Sequence, residues 1–312
     1  KWSNNSADYY TILYVLLVVL FCILRNTSNG AIHIYEIENG ENYRMDYLTS
    51  DEIKTELLNS LREIDMFLKK NNIQYSIMSG TMLGCIRHGG FIPWDDDIDI
   101  GMLRPEYNKL LNLLRKNSNC LNEELFGAGI ELENGQWPFL KIYNKNILVK
   151  ENMEEKPVNL WIDVFPFDGM PCRQSNLYQR YIMLLRKIFH YRRDDLTIDK
   201  KNRKHFFALK TVNFLTGFIS KKNFEKYYIK ICSKYDVNTS EWVEDLTWGK
   251  KSVPRNLFDN LVDYKFETVC VKGFEDYDKY LKRIYGNYME LPPEENRVNH
   301  GVVAWRVKKN EE

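Results

Sequence analysis

Apolar residues recur at helical spacing soon after position 48, with polar residues between them. The apolar stripe consists of Ile53, Leu57, Leu61, Ile64 and Leu68. This spacing predicts an amphipathic helix that buries one face. Thr49 and Glu52 have the spacing of a capping box at its start, and Asn71 and Asn72 mark its end.

Three shorter patterns follow that helix. Residues 73–78 are mostly apolar and predict a first strand, and residues 79–81 (Ser-Gly-Thr) predict a turn into a short helix. Residues 97–100 alternate aspartate with isoleucine. Because successive strand residues point to opposite faces, we expect both aspartates on one face of a strand and both isoleucines in the core.

The rest of the chain continues this mixture of patterns. Residues 158–165 and 269–271 predict strands, whereas residues 175–234 and 277–285 predict helices. A length of 312 residues, with 44% hydrophobic and 28% charged residues, is typical of a globular enzyme. The net charge of +1 disfavours a protein that coats nucleic acid, so we expect no nucleic-acid partner.

One segment before this domain is apolar almost throughout. Residues 9–24, YYTILYVLLVVLFCIL, would reach about 24 Å as a helix, slightly less than a bilayer core. We interpret the segment as a transmembrane anchor, with a cleaved signal peptide and a buried core helix as the alternatives. The predicted layout is a flank, the anchor, a stem, a catalytic domain and a tail, at residues 1–8, 9–24, 25–47, 48–304 and 305–312.

Four aspartates within five residues form a dense cluster of charge: Asp95, Asp96, Asp97 and Asp99. Neighbouring carboxylates repel one another by roughly 1 kcal/mol or more unless a cation lies between them. Mg²⁺ typically binds one or two carboxylates together with phosphate oxygens, so the cluster indicates Mg²⁺- or Mn²⁺-assisted chemistry on a phosphate. A calcium-binding EF-hand is disfavoured, because its sixth position requires glycine and holds Ile100 here.

A third carboxylate is expected from a neighbouring strand. Asp163 is the single acid in the apolar stretch VNLWIDVF, where a charge is costly unless it is paired or bound to a metal. The predicted metal ligands, which are also the predicted catalytic residues, are therefore Asp97, Asp99 and Asp163. For Asp168, which follows Pro166, we expect a turn cap rather than a ligand.

The stretch from position 80 to 102, GTMLGCIRHGGFIPWDDDIDIGM, resembles the LicD family of the nucleotidyltransferase superfamily, which includes fukutin and fukutin-related protein. Residues 161–169 and 285–300 resemble later motifs of that family. The resemblance implies an α/β (α+β) fold with a mixed sheet, a helical insertion and a C-terminal closing segment. It also implies transfer of a phospho-alcohol, of the phosphocholine or ribitol-phosphate type, from a CDP-linked donor to a glycan.

Seven further residues are predicted substrate contacts: Gly80, Thr81, Arg87, His88, Lys141, Arg297 and His300. Gly80 and Thr81 begin a helix whose N–H groups can hold a phosphate, and a simple tight turn is the alternative role for Gly80. Arg87 and His88 are expected to supply positive charge beside a diphosphate. The lysine either reaches a phosphate or lies on an exposed strand face. Arg297 and His300 are expected to contact the donor or the acceptor, and a rigid surface turn is the alternative.

The predicted reaction releases CMP when a glycan hydroxyl attacks the donor. A nucleotidyltransferase that transfers NMP from an NTP and a catalytically silent, membrane-tethered binding protein are the alternatives. The anchor and stem predict a single-pass type II membrane protein with its catalytic domain in the Golgi lumen. Secretion after signal cleavage and a bacterial enzyme at the cytoplasmic face are the alternatives for placement.

Overall fold

The computed structural model describes residues 46–150, 157–171, 176–193, 203–249, 251–297 and 301–307. The α-helices within these ranges are α1 Ser50–Lys70, α2 Ser79–His88, α3 Arg104–Lys116, α4 Asn176–Tyr191, α5 Arg203–Thr216, α6 Lys221–Cys232 and α7 Tyr277–Tyr285. The strands are β1 Asp46–Tyr47, β2 Ser76–Ile77, β3 Asp99–Leu103, β4 Leu125–Ala128, β5 Leu140–Lys150, β6 Val158–Met170, β7 Trp242–Glu244, β8 Val253–Pro254, β9 Leu261–Phe266, β10 Val269–Phe274 and β11 Val303–Arg306. Short 3-10 helices cover Ile130–Leu132, Arg255–Phe258 and Glu294–Asn296.

Over the described ranges, a nine-stranded mixed sheet lies in the unit made of residues 44–182 and 229–312. Its main path runs β1-β11-β5-β6-β3-β2, with β4 beside β5, and β7 and β8 continuing from β6. β3 and β6 are parallel, whereas β5 and β6 are antiparallel. The long strand β6 therefore has β3 on one side and β5 on the other, and this junction positions the candidate site.

Helix α1 begins as the sequence predicts. The Thr49 hydroxyl accepts a hydrogen bond from the Glu52 N–H at 3.3 Å, and the Glu52 carboxylate accepts one from the Thr49 N–H at 2.7 Å. This reciprocal cap satisfies N–H groups that have no partner inside the helix. The predicted apolar stripe is buried against the core, and Asn71 caps the other end.

The two strands predicted first along the chain are shorter than expected. β2 contains only Ser76–Ile77, because it pairs with β3 over those two residues alone. β3 begins at Asp99, so Asp97 lies in the loop before the strand and not on the strand itself. The predicted burial of the two isoleucines is confirmed, since Ile98 and Ile100 are both fully buried.

Residues 183–228 belong to a second unit, which contains most of α4, all of α5 and most of α6. The Arg192 guanidinium donates to the Ile219 carbonyl at 2.6 Å and lies 5.4 Å from the ring centroid of Phe224. Phe189 packs against Tyr228, with 5.5 Å between ring centroids. The described part of the predicted helical insertion is therefore helical.

No helix in the ranges that the structure describes is long and apolar enough to cross a bilayer. The anchor predicted at residues 9–24 lies outside those ranges. The mixed sheet and the helices of the predicted fold class are confirmed, and the predicted transmembrane helix has no support in the structure.

Candidate active site

Two acids and one lysine meet where β3, β6 and β5 lie side by side. Asp99 of β3 is the register partner of Asp163 on β6, and Lys141 of β5 is the register partner of the same aspartate. Side chains at paired positions of neighbouring strands lie on one face of a sheet. The structure therefore brings together three of the residues that the sequence singles out, although they are far apart along the chain.

Burial raises the pKa values of two carboxyl groups at this site. Burial raises the pKa of Asp99 well above its ordinary value, and repulsion from Asp97 and then from Asp163 raises this pKa further. Burial also raises the pKa of Asp163, and the ammonium of Lys141 opposes that shift. Several negative charges are costly here without a cation, because a low local dielectric strengthens their repulsion.

Lys141 is the cation that the structure places beside Asp163. Its Nζ lies 2.8 Å from Asp163 Oδ1, and the residue is only 4% exposed. The ammonium is within hydrogen-bonding distance of this buried carboxylate, and the Trp161 side chain also donates to Asp163. The alternative that Lys141 lies on an exposed strand face is therefore wrong, and its ammonium faces the candidate site.

The atoms that this cluster offers as metal ligands suit a hard divalent cation. The candidate ligands are carboxylate oxygens, which Mg²⁺ and Mn²⁺ prefer, and Asp99 and Asp163 carry them at paired positions of neighbouring strands. Among the described residues, no three Asp, Glu, His or Cys side chains already converge into a metal centre. Lys141 neutralises Asp163 in this arrangement. A cation held by both β3 and β6 therefore requires the lysine to move off that carboxylate.

The start of α2 is tied to the acidic segment by two contacts. The Thr81 hydroxyl accepts a hydrogen bond from the Asp99 N–H at 2.8 Å, and Thr81 is buried. A Cβ on Gly80 would lie 2.5 Å from Oδ2 of Asp95, so the absence of a side chain lets that carboxylate approach the helix. Gly80 and Thr81 thus hold the acidic loop and strand against α2.

Arg87 and His88 lie in the last turn of α2, and Arg87 is hydrogen-bonded to the C-terminal part of the chain. Arg87 lines a cavity of about 590 Å³ whose wall also includes Gly80 and Asp95. Its guanidinium donates to the Tyr288 carbonyl at 2.8 Å. Burial lowers the pKa of His88, and the charge of Arg87 lowers it further. Arg87 therefore places positive charge in the wall of this cavity beside the acidic loop, whereas the lowered pKa of His88 favours its neutral form.

Arg297 lies against the loop that precedes the acids. Its guanidinium carbon is 5.3 Å from the ring centroid of Trp94, and its Nε donates to the Pro292 carbonyl at 2.9 Å. The closing segment therefore folds back onto the acidic motif at this point. His300 lies outside the described residues, so its contact stays a prediction.

Asp168 has a different partner from the predicted turn cap. It is fully buried in β6, and its two carboxylate oxygens accept hydrogen bonds from the Arg104 guanidinium at 2.7 and 2.6 Å. Glu131 lies 3.1 Å from the same guanidinium. This buried network links β6 to the start of α3, and sequence reasoning missed it because Arg104 and Asp168 are 64 residues apart.

Sequence reasoning also missed a group of aromatic residues at the site. A cavity of about 250 Å³ beside Asp97 and Asp163 is walled by Trp137, Phe139, Tyr143, Trp161 and Trp248. A loop holds the last of these rings in place, because the Asp245 carboxylate accepts hydrogen bonds from the N–H groups of residues 247, 248 and 249. The aromatic residues within 137–143 are the local signal that could have indicated this wall.

Comparison with known proteins shows what the part of the chain that carries this site is similar to. Residues 72–216 match the family model described as LicD/FKTN/FKRP, nucleotidyltransferase domain. The chain is 28% identical over 272 residues to lipopolysaccharide cholinephosphotransferase LicD of Haemophilus influenzae, a match that covers 83% of this chain and 98% of that protein. An uncharacterised protein of Rickettsia typhi is 43% identical over 60 residues, which is 19% of each chain. Residues 72–216 are therefore similar to the LicD-family nucleotidyltransferase domain, and the resemblance predicted from the motifs is confirmed.

The predicted placement of the protein is wrong. The prediction put the catalytic domain in the Golgi lumen behind a type II anchor, whereas the relative that matches most of the chain is a bacterial protein. The described ranges also contain no helix that could serve as the anchor.

Proposed function

We propose that this protein is a metal-dependent phosphotransferase that moves a phospho-alcohol, phosphocholine first, from a CDP-linked donor to a glycan hydroxyl and releases CMP. The observation that carries this proposal is the pairing of Asp99 and Asp163 on parallel strands beside the start of α2. The similarity to a lipopolysaccharide cholinephosphotransferase supports transfer of a phosphorus-containing group to a glycoconjugate.

The reaction is a displacement at the phosphorus atom that carries the alcohol. The acceptor oxygen forms a bond to this phosphorus, and the bond to the oxygen that bridges the two phosphates breaks. CMP leaves with the bridging oxygen, and the proton of the acceptor hydroxyl passes to solvent. Mg²⁺ or Mn²⁺ held by Asp97, Asp99 and Asp163 would neutralise the diphosphate and lower the pKa of the attacking hydroxyl.

The basic residues of the site have roles that follow from their positions. Lys141 lies beside Asp163, where its ammonium can contact a donor phosphate once the carboxylate has another partner. The N–H groups of Gly80 and Thr81, in the first turn of α2 after Ser79, lie at the positive end of the helix dipole and favour the second phosphate. Arg87 adds positive charge in the adjoining cavity.

A donor screen tests the proposal. The purified chain is incubated with CDP-choline, CDP-ribitol or CTP, each with Mg²⁺ and a panel of bacterial glycans that includes lipopolysaccharide, and the nucleotide products are separated by chromatography. CMP from a CDP-alcohol, together with the phospho-alcohol on the glycan, is the expected result. Diphosphate released from CTP would identify a nucleotidyltransferase instead. Donor binding without any product would identify a binding protein.

A further inference from the structure

Three aromatic rings surround the Lys141 ammonium, and we call Trp137, Phe139 and Trp161 the aromatic cage. The Lys141 Nζ lies 4.2 Å from the ring centroid of Trp161, 4.8 Å from that of Trp137 and 5.5 Å from that of Phe139. Aromatic faces carry a negative potential that attracts a cation within about 6 Å of the ring centroid. The cage therefore already has a geometry that stabilises a positive charge.

The aromatic cage opens into the cavity of about 250 Å³, whose wall also includes Trp248 and Asp97. Trp248 stands edge-on to Trp137, with 6.0 Å between ring centroids and an interplanar angle of 80°. Phe139 and Trp248 meet at 64°. Rings at such steep angles enclose a compact group on several sides, whereas a sugar ring needs one flat platform. The shape of the wall thus favours a small rounded ligand group.

We propose that the aromatic cage and Trp248 bind the quaternary ammonium group of the donor's alcohol, an inference that rests on the proposed function. Quaternary ammonium ions are the ligands that aromatic cages typically recognise. The aromatic faces that line this cavity favour a cation over a neutral polyol, because a polyol has no positive charge for them to attract. In this structure the Lys141 ammonium occupies the cage and contacts Asp163, so the quaternary ammonium takes its place when Lys141 turns towards the phosphate attached to that cation.

Equilibrium binding of CDP-choline, CDP-ethanolamine and CMP tests this assignment. We expect the wild-type chain to prefer CDP-choline over CDP-ethanolamine, because the trimethylated ammonium is weakly hydrated and enters an aromatic site more readily. Trp161→Leu should reduce this preference by about tenfold, whereas Trp161→Phe should retain most of it. CMP lacks the alcohol, so its affinity should change by the same small factor in both variants, because each loses the indole N–H beside Asp163, and measurable CMP binding shows that they fold. Trp305→Leu, a change at a tryptophan outside the cavity wall, is the matched control.

Two results would overturn the proposal. One is an unchanged donor preference in Trp161→Leu. The other is a raised KM for the glycan with an unchanged donor preference, because the rings would then bind the acceptor sugar.

A probe that needs no turnover separates this proposal from the proposed function. Tetramethylammonium should bind the wild-type chain in isothermal titration calorimetry, and it should bind Trp161→Leu much more weakly. Such binding without transfer from any CDP-alcohol would support the ammonium site and overturn the phosphotransfer function alone. Absence of binding to the wild-type chain would overturn the site.

Discussion

Asp99 and Asp163 are register partners on the parallel strands β3 and β6, and Lys141 pairs with Asp163 from the opposite side. Side chains from three neighbouring strands, two acids and one base, thus lie at one point of a rigid sheet. Flexible loops would let repelling carboxylates separate, whereas hydrogen-bonded strands hold them in place. The resulting repulsion is the electrostatic cost that a bound cation would relieve.

Asp97→Asn should nearly abolish turnover without unfolding the protein. The change keeps the size of the side chain and removes one charge from the proposed ligand set, so the transfer rate should fall about 100-fold or more. The urea midpoint should not decrease, because the variant removes repulsion from the acidic cluster. Asp51→Asn, an exposed acid in the first turn of α1, is the control and should leave both quantities nearly unchanged. Full activity in Asp97→Asn would contradict the proposed metal site.

Thr81→Ala should impair both stability and activity, because it leaves the Asp99 N–H without its acceptor. A buried donor that loses its partner costs about 1–3 kcal/mol, and here the loss also loosens the strand that carries a proposed ligand. Urea unfolding and steady-state kinetics measure the two effects. Thr81→Ser keeps the hydroxyl and should restore most of the rate. Equal losses in the alanine and serine variants would show that the methyl group, and not the hydrogen bond, is what matters.

Asp168→Ala should cost stability through the buried Arg104 guanidinium. Removing one partner of a buried ion pair typically costs about 3–5 kcal/mol, because the remaining charge stays desolvated. Glu131 contacts the same guanidinium and reduces the loss without replacing the two hydrogen bonds from Asp168. The triple variant Arg104→Met/Glu131→Gln/Asp168→Leu removes every charge of this buried network and should be more stable than Asp168→Ala in urea unfolding. The reverse order would mean that Arg104 finds another partner or reaches water.

The parts of the fold that depend on local physics could be predicted from the sequence. The capping box of Thr49 and Glu52 locates the start of α1, and the burial of Ile98 and Ile100 follows from their alternation with acids. The acidic cluster also marks the site, since repulsion between adjacent carboxylates is visible without a structure.

Pairing between distant strands could not be predicted in the same way. The start of β3 at Asp99 and the position of Lys141 opposite Asp163 both depend on strand register, which alternation within one strand does not define. The loop held by Asp245 brings Trp248 to a wall formed by much earlier residues. These contacts are non-local, and one sequence contains no record of which distant segments meet.

In the absence of divalent cations, the protein should become less stable as the pH rises through the raised pKa values of Asp99 and Asp163. Burial raises both values in the folded state, whereas an aspartate in the unfolded chain titrates near about 3.9. Between the unfolded and folded values the folded state binds more protons, so the free energy of unfolding decreases with increasing pH. Asp99→Asn removes the larger contribution and should flatten this dependence.

Added Mg²⁺ or Mn²⁺ should show the opposite dependence on pH, because the cation competes with protons for the same carboxylate oxygens. Thermal unfolding is measured with a chelator and with each cation, at a series of pH values from about 4 upwards, the region where unfolded aspartates have lost their protons. The increase in Tm caused by the cation should grow with pH in the wild-type chain and should largely disappear in Asp99→Asn. An increase that is the same at every pH, or that survives in Asp99→Asn, would place the cation away from these carboxylates and contradict the proposed site.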